Sequence, residues 1–409
     1  MSTDFTKTMK LRLYTDDTAD GEFSTLSEQY RLACDFVSQY VFDHDFILNS
    51  VQLSTLLYTK IRDDYNLKSQ MAQSVIRTVT ARYAAVRTQL YEHPYKYKDE
   101  SEKWCYIPKT LEWLWRPISF KRPQADLVRG RDYSFVDGCT KLSLNTLSKR
   151  VKVRFAVPPC FKEYFDGTWS FGTGKLVKLN GIWYFHIPVT KIIDELDRDN
   201  IKHVVGIDQG LRFLTTTYDE KGDTVFTNGK SILAKRQKFQ DVRSELQSKG
   251  TRSAKRALKH ISGRENRWMS DVNHQISKTL VESYGADTLF VVEDLTGVSF
   301  DEKNLSECTK QGRRKLRSWT FYQLTQDLTY KAKSVGSDVI KVRADYTSQR
   351  CPKCGRIHKE NRHHDTHEYI CDKCGYRSND DRIGAMNIQL LGTMYVSGDN
   401  NPSFVNQTL

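Results

Sequence analysis

The sequence has no uncharged apolar stretch approaching the roughly 20 residues that a membrane-spanning helix needs. Its opening segment, Met1-Ser2-Thr3-Asp4-Phe5-Thr6-Lys7, lacks the apolar core of a signal peptide. A cytoplasmic, nucleoid-associated protein that meets no membrane is therefore expected. No internal repeat and no long low-complexity segment interrupts the chain. Cysteine is not arranged for disulfides: the count is nine, and Cys34, Cys105, Cys139, Cys160 and Cys308 stand singly, unlike a secreted framework. Acidic residues are in deficit, with 50 Asp+Glu against 63 Lys+Arg and a formal net charge of +13. That balance disfavours anionic surfaces on the protein itself and suits a polyanionic partner such as nucleic acid. With 409 residues the chain can form two or three domains with cores of their own.

The pattern changes along the chain. Met9–Tyr14 alternates as a strand does, and a helical region follows, in which Ile76, Val79, Tyr83, Val86 and Leu90 recur at steps of three and four. Arg77, Arg82 and Arg87 on this helix suit a solvated face as well as a nucleic-acid contact. After His93-Pro94 the sequence becomes aromatic and β-rich. Asn180-Gly181 between Lys175–Leu179 and Ile182–Ile187 signals a hairpin. With Asp132–Phe135 and Val151–Val157 it suggests a small antiparallel barrel or sheet that shares the N-terminal strand. Trp104, Trp113, Trp115, Trp169 and Trp183 are concentrated here and are expected in the core, the other use being stacking platforms for bases.

From about Lys202 three strands (His203–Asp208, Leu214–Tyr218, Thr224–Thr227) precede a long basic helical region from about Ile232 to Tyr284. A fourth strand (Thr288–Val292), a helix through Trp319, Tyr322, Leu324, Leu328, Ala332 and Val335, a fifth strand (Asp338–Val342) and a final helix over Arg382–Leu391 complete the ribonuclease H-like order. The tail over 393–409 is polar and is expected to be disordered. Val204-Val205-Gly206-Ile207 and Leu289-Phe290-Val291-Val292 read as strands buried on both faces, and acids end them, Asp208 and Glu293-Asp294. Asp381 opens the last helix. Phosphodiester hydrolysis with two metal ions needs such carboxylates converging on hard cations, one ion activating water and the other stabilising the leaving oxygen. Each acid also has a simpler reading, as a strand end, a rim charge or an N-cap.

Cys351-Pro352-Lys353-Cys354-Gly355 and Cys371-Asp372-Lys373-Cys374-Gly375 have the spacing of a structural Zn²⁺ ribbon, with Gly355 and Gly375 suited to the tight knuckle turns. His358, His363, His364 and His367 lie between the pairs and are read as loop residues, because four thiolates already close the site. Between the first two acids a basic arm carries Lys230, Lys235, Arg236, Lys238, Arg243, Lys249, Arg252, Lys255, Arg256, Lys259, Arg264 and Arg267 against Asp241, Glu245 and Glu265. Such an excess suits phosphate backbone. A second cluster is Lys310, Arg313, Arg314, Lys315 and Arg317.

Gly206-Ile207-Asp208-Gln209-Gly210, Val292-Glu293-Asp294-Leu295, Tyr346-Thr347-Ser348-Gln349-Arg350-Cys351 and the Cys371–Ile388 segment resemble the TnpB family of transposon-encoded, RNA-guided DNA nucleases, relatives of CRISPR type V effectors. Arg267–Leu280, with His274 and Ser277, also looks like the family's helix before the second acid. The resemblance is specific over about Lys202–Leu391 and looser before it. It implies a RuvC-like nuclease domain (201–350 and 376–392) with an inserted zinc ribbon (351–375), a wedge-like β-barrel domain (1–14 and 92–200) and a helical recognition domain (15–91). By resemblance Asp208, Glu293 and Asp381 form an Mg²⁺-dependent triad, holding two catalytic ions beside one structural Zn²⁺, and Thr347-Ser348-Gln349 forms an active-site loop. The sequence departs from the commonest family form after Asp381, where Ile383-Gly384-Ala385 replaces Asn-Ala-Ala. The resemblance further implies a guide noncoding RNA, a double-stranded DNA target beside a short adjacent motif, and a monomer. A compact CRISPR effector, an RNA-guided repressor that does not cut, and a strand-transfer transposase are the alternatives.

Overall fold

The computed structural model describes residues 2–122, 124–210, 212–295, 321–363 and 365–405. Arg313 and Arg314, with the rest of the second basic cluster and Trp319, lie outside these. The chain divides into two compact units, Asp4–Ile192 and the part from Ile193 onward together with the first three residues. Among the described residues no helix is long and apolar enough to cross a membrane.

In the first unit, strand β1 (Ser2–Tyr14) leads into helices α1 (Asp17–Asp43), α2 (Ser50–Tyr65) and α3 (Ser69–Glu92). A two-stranded ribbon follows, β2 (Tyr95–Lys98) and β3 (Trp104–Ile107). Then come β4 (Gln124–Leu127), β5 (Tyr133–Val136), β6 (Lys141–Asn145), β7 (Arg150–Ala156), β8 (Ser170–Phe171), β9 (Gly174–Leu179) and β10 (Ile182–Asp194). Apart from the ribbon they make one eight-stranded sheet of order β4-β9-β10-β1-β7-β6-β5, with β8 paired to β10. The sharing of β1 with the later strands is as expected. The hydrogen-bonded order runs from edge β4 to edge β5 and does not complete a barrel among the described residues.

Period-two burial of Met9, Leu11 and Leu13 on β1 places their side chains in a core with Phe23 and Tyr30 of α1, Val79 and Tyr83 of α3, and Trp183 of β10. Asn180 and Gly181 both adopt positive φ (52° and 82°), the turn that joins β9 to β10. Trp183 is in the core as expected and Trp169 packs against it, but Trp104, Trp113 and Trp115 are exposed. Composition could not separate these cases, because Trp104 sits on β2–β3, a two-stranded sheet apart from the larger one, and Trp113 and Trp115 follow it outside any strand.

The second unit contains β11 (His203–Asp208), β12 (Phe213–Tyr218), β13 (Thr224–Asn228), α4 (Lys230–Lys249), α5 (Arg252–Ile261), α6 (Arg264–Tyr284), β14 (Thr288–Glu293), α7 (Phe321–Ser334) and β15 (Asp338–Val342). Three short strands, β16 (Arg362–His363), β17 (Glu368–Ile370) and β18 (Arg377–Asn379), precede α8 (Asp380–Val396). The main sheet runs β13-β12-β11-β14-β15, antiparallel on the first three strands and parallel from β11 to β15. This is the ribonuclease H-like order. Side chains alternate across it: Phe290 and Val292 join Val205 and Ile207 against α6 and α7, whereas Leu289 and Val291 meet Ile388 and Leu391 of α8.

The helical basic region is as expected and is built of three helices, since Gly250 (φ +59°) and Gly263 (φ +75°) adopt left-handed conformations that end one helix and begin another. The expectation of a disordered tail is corrected. The segment after Gly392 is ordered as far as it is described: α8 continues to Val396, and Phe404 is fully buried with Leu289, Val291 and Leu391. Burial of Phe404 contributes about 1.5–3 kcal/mol toward holding this polar segment.

Candidate active site and metal centre

Register places the first two acids side by side. On the parallel pair β11 and β14, Ile207 is opposite Val292, so Asp208 and Glu293 follow at the same end of neighbouring strands. The third acid arrives on α8. Asn379 caps this helix, its side chain accepting from the backbone N–H of Asp381 and Arg382 at 3.1 Å each. A close approach then sets the helix on the sheet. A Cβ at Gly206 would overlap the backbone of Ala385 and Gln389, and one at Gly392 would stand 2.8 Å from Val204 Cγ1. One Cβ at Gly384 would stand 3.0 Å from Asp208 Oδ2. The departure at Ile383-Gly384-Ala385 therefore leaves the glycine directly over the first acid.

Electrostatics records the convergence. Burial, then the charges of Glu293 and Asp381, push the Asp208 carboxyl well above the ordinary carboxylate range. Burial raises Glu293 as well, opposed by the Thr347 hydroxyl that donates to it and by Arg362. Asp381 is raised by burial and by Asp380, and lowered by Arg362, whose Nη2 lies 3.7 Å from Asp381 Oδ1. Arg362 also pairs with the buried Asp380 at 3.0 Å. Three carboxyls raised mainly by burial, Asp208 also by the charges of the other two, are oxygen donors that a hard divalent cation would relieve.

The Thr347-Ser348-Gln349 loop meets the acids at Glu293. Thr347 is buried and hydrogen-bonded to Glu293, while Gln349 offers its carbonyl to Tyr369 Oη at 3.1 Å. Asn387, absent from the sequence-based set, ties the loop down: its buried Nδ2 donates to the carbonyls of Thr347 (2.7 Å) and Arg350 (2.8 Å). Its position two turns into α8, on the face that meets the sheet, was the available signal. Gln209, next to Asp208, donates to Thr325 of α7 at 3.1 Å.

The four cysteines form a second centre. Their sulfur atoms lie within 4.8 Å of one another, with Cys351–Cys374 and Cys354–Cys371 each at 3.6 Å. Thiolates about 2.3 Å from a tetrahedral zinc would stand about 3.8 Å apart, so the set fits that ion. Gly355 and Gly375 (φ +74° and +70°) make equivalent knuckles, donating to the Cys351 and Cys371 carbonyls at 2.9 and 3.0 Å. The backbone N–H of Arg356 lowers the Cys354 thiol to about 7, toward the ligating thiolate, whereas burial raises Cys351 to about 12. His367 faces Asp380 at 3.7 Å rather than the sulfurs.

Of the basic arm, Lys235, Lys238, Arg243, Arg252, Lys255, Arg256, Lys259, Arg264 and Arg267 are exposed. Arg236 is not. It is 5% exposed and pairs with Glu265 at 3.3 Å, a carboxylate that Arg243 also reaches at 2.7 Å. Burial of this pair withdraws Arg236 from the phosphate-binding set.

Comparison with known proteins follows the same outline. Residues 186–297 match a family described as a probable transposase, and residues 321–388 match the Cas12f1-like TNB domain. The CRISPR-associated endodeoxyribonuclease Cas12f1 of Syntrophomonas palmitatica is 29% identical over 249 residues, 56% of this chain and 48% of that protein. The chain thus spans about half the length of this relative. The TnpB-like protein MJ0751 of Methanocaldococcus jannaschii is 30% identical over 207 residues, covering 48% of this chain and 71% of its own. Among solved structures, the cryo-EM structure of the Cas12f1-sgRNA-target DNA complex shares the fold (TM-score 0.60, 13% identity) over 94% of this chain and 99% of that one. With a RuvC-type sheet that gathers three acids, a four-cysteine ribbon, and a relative of this identity and coverage, the chain belongs to the TnpB-like family.

Proposed function

We propose that the protein is an RNA-guided DNA endonuclease of a transposable element, cutting double-stranded DNA beside a short adjacent motif. The observation that carries this reading is the approach of Asp208, Glu293 and Asp381, from two neighbouring strand ends and the start of a helix packed against Asp208. Hard oxygen donors of this kind suit two Mg²⁺ ions held by these three side chains. Ions held there would lower the pKa of an attacking water and offset charge on the leaving oxygen.

The chain's own residues prepare that chemistry. The Thr347 hydroxyl orients Glu293, Asn387 holds the loop that carries Thr347, and the Asn379 cap fixes the backbone from which Asp381 projects. Arg362 offsets part of the acidic charge without closing the set. The exposed cations of α4, α5 and the start of α6 would hold phosphate backbone. Cys351, Cys354, Cys371 and Cys374 would hold one structural Zn²⁺. Target choice would rest on base pairing with a guide noncoding RNA, while protein reads the motif and the shape of the hybrid. The expected wedge-like (1–14, 92–200) and recognition (15–91) modules would supply that reading, in a monomer acting at the nucleoid.

The match of 321–388 to a Cas12f1-like domain favours one second reading, a compact CRISPR effector. Sequencing the RNA that co-purifies separates the two, by transposon-end or repeat-derived sequence. The nuclease reading is tested by Asp208→Ala: guided cutting is lost while guided DNA binding persists. Undiminished cutting refutes it.

A further inference from the structure

We propose that the β2–β3 ribbon is a stacking platform for unpaired bases of an RNA strand; that this RNA is the guide rests on the guided-nuclease reading. The ribbon lies within the first unit, and every residue of it except Cys105 is exposed. Register sorts its side chains. Lys96 is opposite Tyr106 and Lys98 is opposite Trp104, so one face consists of two cation–aromatic pairs. Their ammonium groups stand over the rings, 5.6 Å from Tyr106 and 5.7 Å from Trp104. Those two rings are 57% and 59% exposed, a large apolar area to leave in water without a partner.

On the other face Tyr95 and Tyr97 stack with centroids 6.3 Å apart, and Trp113 covers Tyr95 at 5.8 Å. Trp113 thereby covers part of that face, where Tyr95 (48%) and Tyr97 (40%) are less exposed than Tyr106 and Trp104. Flat rings flanked by ammonium groups match a nucleotide chain, whose bases offer π-faces and whose phosphates offer negative charge. The acids of the ribbon, Asp99, Glu100 and Glu102, are confined to its turn, where Glu102 reaches Lys98 at 3.8 Å. A duplex keeps its base faces stacked on one another, so the occupant must be unpaired. RNA presents such bases in loops and ends before any target is opened.

The full-length protein would be titrated with a labelled oligouridine of about ten nucleotides, its deoxy counterpart, and an RNA duplex of the same length. Replacing the rings (Trp104→Ala with Tyr106→Ala) should weaken oligouridine binding about tenfold, whereas Trp104→Phe with Tyr106→Phe retains most of it. Duplex RNA should be bound equally by all forms. Unchanged oligouridine affinity in the alanine form overturns the proposal, as does an equal loss on the duplex, which would reduce the ribbon to a charge effect. A loss as large or larger on the DNA strand overturns the assignment to RNA. These titrations need neither guide nor cutting, and Asp208→Ala should leave them unchanged. Failure of the nuclease reading and failure of the platform therefore give different results.

Discussion

Gly384 on α8 faces Asp208 at the end of β11 so closely that a methyl group there would lie 3.0 Å from Oδ2 and 3.1 Å from Cγ. A side chain at this position would have to be met by a shift of Asp208. Gly206 and Gly392 admit the helix backbone along the rest of the strand.

Gly384→Val should accordingly impair cutting: branched methyl groups against Asp208 would displace its carboxyl and lower the single-turnover cutting rate about tenfold or more. Gly384→Ala, the residue the commonest family form has there, should be accommodated by a shift of a few tenths of an ångström, with cutting and melting temperature little changed.

The raised carboxyls predict a stability cost at neutral pH. Asp208 is raised above its unfolded value of about 3.9, so its favourable contribution is complete below that value and is lost as pH rises through the native one. In chelator, Asp208→Asn should therefore raise the melting temperature above pH 5 by about 3 °C and flatten its decline with pH. Adding Mg²⁺ should stabilise the wild type more than the variant. A variant less stable than wild type in chelator would show that Asp208 is not strained by its neighbours.

The cysteine cluster predicts about one zinc per chain by elemental analysis of the purified protein. Cys371→Ser should abolish that stoichiometry and expose the 351–376 segment to proteolysis, since a ribbon of this size has little core beyond Cys351, Tyr369, Cys371 and Ile383. Full zinc content in the variant would remove Cys371 from the ligand set.

Arg236 and its neighbours should behave oppositely. Arg236→Ala leaves the buried Glu265 with less compensation and should cost about 2–3 kcal/mol in denaturant unfolding, without changing the salt dependence of nucleic-acid binding. Lys255→Ala with Arg256→Ala should leave stability within about 0.5 kcal/mol and reduce the slope of log affinity against log salt by roughly 1–2.

Much of this protein follows from local pattern alone. Apolar runs that end in Asp208 and Glu293, the Asn180-Gly181 turn and the paired cysteines each encode geometry within a few residues, through side-chain period, permitted φ and ligand reach. Strand order followed from the order of these elements along the chain. Packing between distant segments decided the rest. Arg236 is a cation like its neighbours until Glu265 folds back beside it, and Gly384 is an ordinary helix glycine until Asp208 lies beneath it. Phe404 ends a polar tail until it meets Leu289 and Val291, and Trp104 belongs to a tryptophan-rich stretch until its ribbon forms a sheet of its own. Which side of an element faces a core depends on contacts across hundreds of residues, and only the folded chain brings those contacts together.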